Sequence, residues 1–99
     1  MSASPDQMTN VGYVTLRYWA SARAAAGTDS DALEVSGPVP LADLVRRARE
    51  AHVDSPRFAQ VLSCCSMMVG DRPVTTDDPA SVVVQPGSTV EFLPPFAGG

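Results

Sequence analysis

The stretch VGYVTLRYW, residues 11–19, decides the fold, because its apolar side chains alternate as they do in a half-buried β-strand. Successive side chains of a strand point to opposite faces of the sheet. Val14, Leu16 and Tyr18 are therefore predicted to face the core, and Trp19 to lie on the opposite side. The remaining sequence supplies the partners of this strand.

The apolar patterns around this strand predict a single α+β domain. A glycine-containing turn at 21–30 leads to a second strand, DALEV at 31–35, and the two strands are predicted to form an antiparallel hairpin with a long connection. Pro40 begins a helix whose apolar stripe recurs at i, i+3, i+4 and i+7, as Leu41, Leu44, Val45 and Ala48. The later elements are a short helix at 55–63, a strand CCSMMV at 64–69 and a last strand TVEFL at 89–93.

The first and last strands are both strongly apolar, as is typical of strands at the centre of a sheet. Parallel pairing of these two strands, with one main helix packed across a mixed sheet and a short second helix, is a β-grasp (ubiquitin-like) arrangement. We expect residues 1–10 to form a disordered leader, 11–93 the β-grasp domain and 94–99 an extended C-terminal tail.

The composition excludes several classes of function. The 99 residues carry a net charge of −4 with a pI near 4.6, whereas nucleic-acid binding needs a basic surface. All seven basic residues are arginine, so the chain can form no lysine Schiff base and offers no lysine to an isopeptide bond. It has no Walker-type phosphate loop, so any ATP chemistry has to come from another protein. With no signal peptide and no apolar span, we expect a cytoplasmic protein that contacts no membrane.

The cysteines and the histidine indicate neither a metal site nor a catalytic centre. Cys64 and Cys65 are adjacent, which is a poor arrangement for a structural disulfide, and no histidine cluster accompanies them to bind zinc. Both are placed in an apolar strand with no neighbouring cation, so core packing is their expected role. His52 lies at the C-terminal end of the main helix, where a cap or surface position is expected.

The sequence ends in LPPFAGG, residues 93–99, which has no evident packing role. Pro94 and Pro95 end strand pairing and favour an extended backbone. The residues after Leu93 can then project up to about 20 Å from the domain. Gly98 and Gly99 carry no Cβ atom, so the terminal carboxylate could enter a channel too narrow for side chains.

These features together resemble the MoaD family, the small sulfur-carrier subunits of molybdopterin synthase. The first strand runs into the family's aromatic-Ala-x-x-Arg-x-x-x-Gly segment, matched from Tyr18 to Gly27 and including Arg23. The family's ending is matched by Leu93, Pro94, Pro95, Phe96, Gly98 and Gly99. The resemblance covers roughly residues 11–99, and the segment between Ala51 and Met68 departs from it.

The resemblance implies a carrier that performs no catalysis alone. A partner E1-like enzyme would use ATP to adenylate Gly99, and a sulfur donor would convert the glycyl adenylate into a thiocarboxylate. The thiocarboxylate would give its sulfur to a pterin precursor in the large subunit of molybdopterin synthase, during molybdenum cofactor biosynthesis. The family implies a hetero-oligomer with the large subunit, and neither a bound cofactor nor a metal is expected.

Strand alternation predicts a docking surface beside the tail. Trp19 and Leu93 are predicted to form an exposed apolar patch at the base of the tail, with Met67 on the third strand and Phe96 on the tail itself. Exposed aromatic and aliphatic patches mark interfaces. We therefore expect these residues to bind a partner protein.

Three other functions fit parts of the sequence. One is a sulfur carrier for thiazole or amino-acid biosynthesis, although the double proline and the aromatic first strand are unlike the thiazole carriers. Another is a ubiquitin-like modifier whose Gly99 joins a target lysine; because this chain has no lysine, it could not be modified by a second copy. The last is a plain interaction domain with a chance tail.

Overall fold

The computed structural model describes residues 12–75 and 78–95, which form a mixed sheet with helices on one face. In chain order the strands are β1 (Gly12–Tyr18), β2 (Ser30–Val35), β3 (Val39–Pro40), β4 (Ser66–Val69), β5 (Arg72–Pro73), β6 (Val83–Val84) and β7 (Thr89–Leu93). The helices are α1 (Ala20–Ala26), α2 (Leu41–Ala51) and α3 (Pro56–Ser63), with a 3₁₀ turn at Pro79–Ser81.

Strand β1 lies between β2 and β7 in a five-stranded sheet of order β2-β1-β7-β4-β5. It pairs antiparallel with β2 and parallel with β7, where Tyr18 is in register with Phe92. The expected hairpin and the expected parallel pairing of first and last strands are both confirmed. Strands β3 and β6 form a separate two-stranded ribbon.

The core fills the space between this sheet and the helices. Val14, Leu16 and Tyr18 are buried on the helix-facing side of β1, as their alternation predicts. The other core side chains are Ala22, Val35, Leu41, Leu44, Ala48, Phe58, Leu62, Val84, Val90 and Phe92. Of the stripe predicted for the main helix, only Val45 is half-buried; its other members are fully buried.

The connection between β1 and β2 is a helix, whereas its sequence predicts a turn. Alanine is the strongest helix former, and five of the seven residues of α1 are alanine. Gly27 ends the helix in the left-handed conformation, with φ of 76°, and its N–H donates to the carbonyl of Arg23 at 2.9 Å. Gly27, the glycine on which the predicted turn depends, is the C-cap of α1.

Replacing Gly27 by alanine is expected to destabilise the domain by about 1 kcal/mol, because a side chain disfavours the left-handed backbone. A Cβ atom on Gly27 would meet nothing within 4 Å, so the effect isolates the backbone conformation. Urea denaturation measures it. Gly37→Ala is the matched control, since its Cβ also meets nothing within 4 Å and its φ is not positive; equal stability losses for both variants would contradict the expectation.

Helices α2 and α3 each have a proline at their N-terminal end, which is the N-cap in α2 and the first helical residue in α3. Pro40, the predicted first residue of the helix, is the N-cap of α2 and the last residue of β3, so the helix begins one position later than predicted, at Leu41. The Ser55 side chain accepts a hydrogen bond from the Phe58 N–H, so Ser55 caps α3. The Ser55 hydroxyl also donates to the Ala25 carbonyl at 3.0 Å, which fixes the start of α3 against the end of α1.

The third strand is shorter than predicted and contains neither cysteine. Strand β4 covers only Ser66–Val69, whereas Cys64 is the C-cap of α3. The N–H groups of Cys64 and Cys65 donate to the carbonyls of Val61 and Leu62, which tightens the last turn of the helix. An apolar run of this kind fits a helix end and a strand equally, and the hydrogen bonds of the preceding helix decide between them.

Candidate functional site

Trp19 lies on the sheet face opposite the helices, immediately after β1. Its indole is 38% exposed, and its Nε1 donates to Glu91 Oε1 at 2.9 Å. The guanidinium of Arg17, on the same face of β1, lies 4.9 Å from the centroid of the indole ring. The predicted exposure of Trp19 is confirmed, and its ring is held in place by a carboxylate and a cation.

Leu93 lies beside Trp19 on this face. Phe92 is in parallel register with Tyr18, so the next residue of each strand, Leu93 and Trp19, points away from the core at the same end of the sheet. Leu93 is half-buried. We call the surface formed by Arg17, Trp19, Met68, Glu91 and Leu93 the open-face patch.

Met67 does not belong to the open-face patch, contrary to the prediction. It is in register with Phe92, whose side chain is fully buried, and it packs against the core. Met68 is in register with Glu91 and therefore takes the position on the open face. Because both residues are apolar, the sequence alone could not decide which of them faces the core; the register with β7 decides it.

We call Pro94 and Pro95, which directly follow the last residue of the open-face patch, the tail root. Strand β7 ends at Leu93, Pro94 is buried and Pro95 is exposed. The predicted site residues Phe96, Gly98 and Gly99 lie outside the described residues. The structure thus brings Trp19 and Leu93 together at the tail root.

A cavity of about 320 Å³ opens on the other side of the tail root, between α1 and α3. Its walls are formed by Ser21, Arg57, Gln60, Val61, Cys64, Pro94 and Pro95. No motif in the sequence predicts this cavity. The available signal was the spacing of Arg57, Gln60, Val61 and Cys64 at i, i+3, i+4 and i+7, which places them on one face of a helix.

The two cysteines have different environments. Cys65 is half-buried and packs against the core. Its burial, and to a smaller extent the charge of the neighbouring Cys64, raises the pKa of its thiol to about 11. Cys64 is exposed, so the expectation that it packs in the core is wrong. Arg57 lines the same cavity as Cys64 but lies seven residues earlier in α3, about two helical turns away.

Asp31 joins three elements at the end of the sheet. Its Oδ2 accepts from the Tyr18 hydroxyl at 2.7 Å and lies 2.6 Å from His52 Nε2, which donates to it. Burial is the main reason that the pKa of Tyr18 is raised well above its usual value, and the hydrogen bond to Asp31 raises this pKa further. His52 is the C-cap of α2, and its ring lies 4.6 Å from the Phe58 ring at an interplanar angle of 46°, so it is a cap whose ring is largely buried. These contacts tie the end of α2 to β2 and β1, and none of the three residues lines the cavity at the tail root.

The described part of the chain contains neither a candidate metal site nor a candidate membrane-spanning helix. Within 12–75 and 78–95, no three His, Cys, Asp or Glu side chains are grouped so that they could hold a metal ion. In the same ranges, no helix has the length and apolar character needed to cross a membrane.

Several solved structures share the fold of this chain. Small archaeal modifier protein 1 (SAMP1) from Haloferax volcanii superposes with a TM-score of 0.71 at 16% identity, over 89% of this chain and 100% of that chain. A candidate molybdopterin converting factor, subunit 1, from Pyrococcus furiosus gives 0.68 at 21% identity, over 85% and 98%. The HVO 2177 protein of Haloferax volcanii gives 0.69 at 22% identity, over 91% and 89%.

These similarities establish the fold. No protein-family model and no curated protein matches the chain. At 16–22% identity, the structural likeness shows the ubiquitin-like β-grasp fold, which confirms the predicted fold class. The match to a candidate molybdopterin converting factor subunit agrees with the resemblance to the MoaD family.

Proposed function

We propose that this chain is a sulfur carrier of molybdenum cofactor biosynthesis, with Gly99 as its free C-terminus. The observation that carries the proposal is the junction of β7 and the tail: a central strand runs straight into two prolines beside the open-face patch. The fold shared with a candidate molybdopterin converting factor subunit supports it. The partners are an E1-like adenylating enzyme and the large subunit of molybdopterin synthase, with which the chain forms a hetero-oligomer.

The chemistry explains why a carrier needs an activating partner. A carboxylate is a poor acyl donor because oxide or hydroxide would have to leave. With ATP, the partner converts the Gly99 carboxylate into an acyl-adenylate and releases pyrophosphate. Hydrosulfide then attacks the carbonyl carbon and AMP leaves, which gives a thiocarboxylate; a persulfide donor gives the same product with a thiol reductant. The chain supplies the reactive terminus, and the partners supply the acids and bases.

Intact-mass measurement after incubation with an adenylating enzyme, ATP and a sulfur donor tests the proposal. We expect a gain equal to replacing one oxygen by sulfur, and no gain in a variant that lacks Gly99. A second control omits ATP and should also leave the mass unchanged. A wild-type mass that stays constant with competent enzymes would refute the carrier function.

A ubiquitin-like modifier is the second candidate, and the similarity to SAMP1 favours it. In that case Gly99 forms an isopeptide bond with a lysine of a target protein. The same incubation, performed with a cell extract, distinguishes the two: a modifier produces larger covalent conjugates that resist thiol reductants, whereas a carrier produces the free thiocarboxylate. Because the chain has no lysine, none of the conjugates can be chains of this protein linked through its own lysines.

Replacing Trp19 by alanine is expected to weaken binding to the large subunit about tenfold while leaving the fold intact, because exposed aromatic side chains at interface centres carry much of the binding energy. Isothermal titration measures the affinity, and circular dichroism the fold. Tyr13→Ala is the matched control: Tyr13 is 55% exposed on the same face of β1, at the end of the strand far from the tail. Equal affinities of wild type and Trp19→Ala would remove Trp19 from the interface.

A further inference from the structure

We propose that the cavity between α1, α3 and the tail root receives an aspartate or glutamate side chain of the enzyme that activates Gly99. This inference rests on the proposed function, and it assigns a partner contact to helix α3, the segment that departs from the family resemblance. The cavity and the open-face patch lie on opposite sides of the same tail root. The activating enzyme would therefore hold the root from the α3 side while the tail enters its active site.

The position of the cavity is the first argument. Pro94 and Pro95 form part of its wall, so a group bound there touches the residues from which the tail projects. An enzyme that takes up a tail of this length has to lie against its root. Pro94 is buried, which makes the root a fixed reference point for the partner.

The chemistry of the walls is the second argument. The Arg57 guanidinium has no ion pair, and the side chains of Ser21 and Gln60 have no hydrogen bond, within the residues that the structure describes. Arg23 and Arg46, by contrast, pair with acidic side chains of this chain. A guanidinium with a hydroxyl and an amide beside it offers several donors to one anion, and arginine binds carboxylates in a bidentate geometry.

The remaining walls favour a protein side chain over a free phosphate. Val61 and the two prolines give the cavity an apolar side, against which the methylene groups of an acidic side chain and an apolar neighbour can pack. One cation matches the single charge of a carboxylate. The N-terminus of α3, which would assist a phosphate, is already capped by Ser55.

The experiment compares the rate of thiocarboxylate formation at a series of carrier concentrations for three proteins. For Arg57→Glu we expect the concentration that gives half-maximal rate to rise about tenfold with little change in maximal rate, because charge reversal weakens docking and leaves the chemistry of Gly99 intact. Arg72→Glu is the matched control and should behave as wild type. Arg72 is exposed and has no ion pair with any residue in the described part of the chain. It lies in β5, where it pairs with Val69 at the end of β4 remote from the tail root.

A photoreactive amino acid in place of Gln60 identifies the occupant directly. During activation, we expect it to crosslink to a peptide of the enzyme that contains Asp or Glu, and replacement of that acid by arginine should restore activity with Arg57→Glu. Equal half-maximal concentrations for wild type and Arg57→Glu, or crosslinks only within the carrier chain, would overturn the inference alone. A wild-type carrier that gains no sulfur would overturn the proposed function, and the inference with it.

Discussion

Phe92→Ala is expected to lower the free energy of unfolding by about 3–5 kcal/mol, the usual cost of removing a buried phenylalanine side chain. Phe92 is fully buried in the last strand and stacks on Tyr18, with ring centroids 5.7 Å apart. The Phe92 carbonyl also accepts a hydrogen bond from the Trp19 N–H at 3.2 Å, which connects β7 to the backbone of Trp19 in the open-face patch. Because small domains have total stabilities of about 5–15 kcal/mol, this loss removes a large share of the stability and should move the unfolding midpoint to a much lower urea concentration.

Urea denaturation followed by circular dichroism measures this loss. Leu93→Ala is the matched control, because the adjacent residue belongs to the same strand but is only half-buried on the opposite face. We expect it to cost clearly less than Phe92→Ala. A small loss for Phe92→Ala, comparable to that of Leu93→Ala, would mean that β7 does not pack at the centre of the core.

The central strands of the sheet could be predicted from the sequence, because the pattern of apolar side chains within each short segment is enough to identify them. Alternation in β1 identifies Val14, Leu16 and Tyr18 as core residues, and the two-sided apolar character of β1 and β7 indicates that these strands are central. Burial and pairing agree with both expectations. Helix α1 was missed because a short alanine-rich segment followed by glycine fits a turn as well as a helix.

The site could be predicted only in part, because its geometry depends on contacts between distant segments. Trp19 faces away from the core by simple alternation, whereas the choice between Met67 and Met68 required the register of β4 with β7. The cavity joins α1, α3 and the tail root, three segments that are far apart in the sequence. The contact between Asp31 and His52 likewise joins residues that are 21 positions apart.

Asp31→Ala is expected to destabilise the domain by about 2 kcal/mol, although the carboxylate lies near the surface. The Tyr18 hydroxyl donates to Asp31, and the Tyr18 side chain is otherwise buried. Removal of the acceptor leaves this hydroxyl without a partner, and an unsatisfied buried polar group costs about 1–3 kcal/mol. The substitution also removes the acceptor of His52 Nε2, which connects the end of α2 to β2. Asp29→Ala is the control, because its 3.7 Å ion pair with Arg23 is exposed and should contribute less than about 1 kcal/mol.

A double-mutant cycle with Tyr18→Phe separates the energetic cost of the unpaired Tyr18 hydroxyl from the contribution of the other contacts of Asp31. If the unpaired hydroxyl dominates, Tyr18→Phe should destabilise the wild type but should cost little, or even restore stability, in the Asp31→Ala background, since both partners of the hydrogen bond are then absent. Thermal or urea unfolding of the four proteins gives the coupling. Strictly additive losses would show that the two side chains act independently, and that Asp31 stabilises the fold through His52 alone.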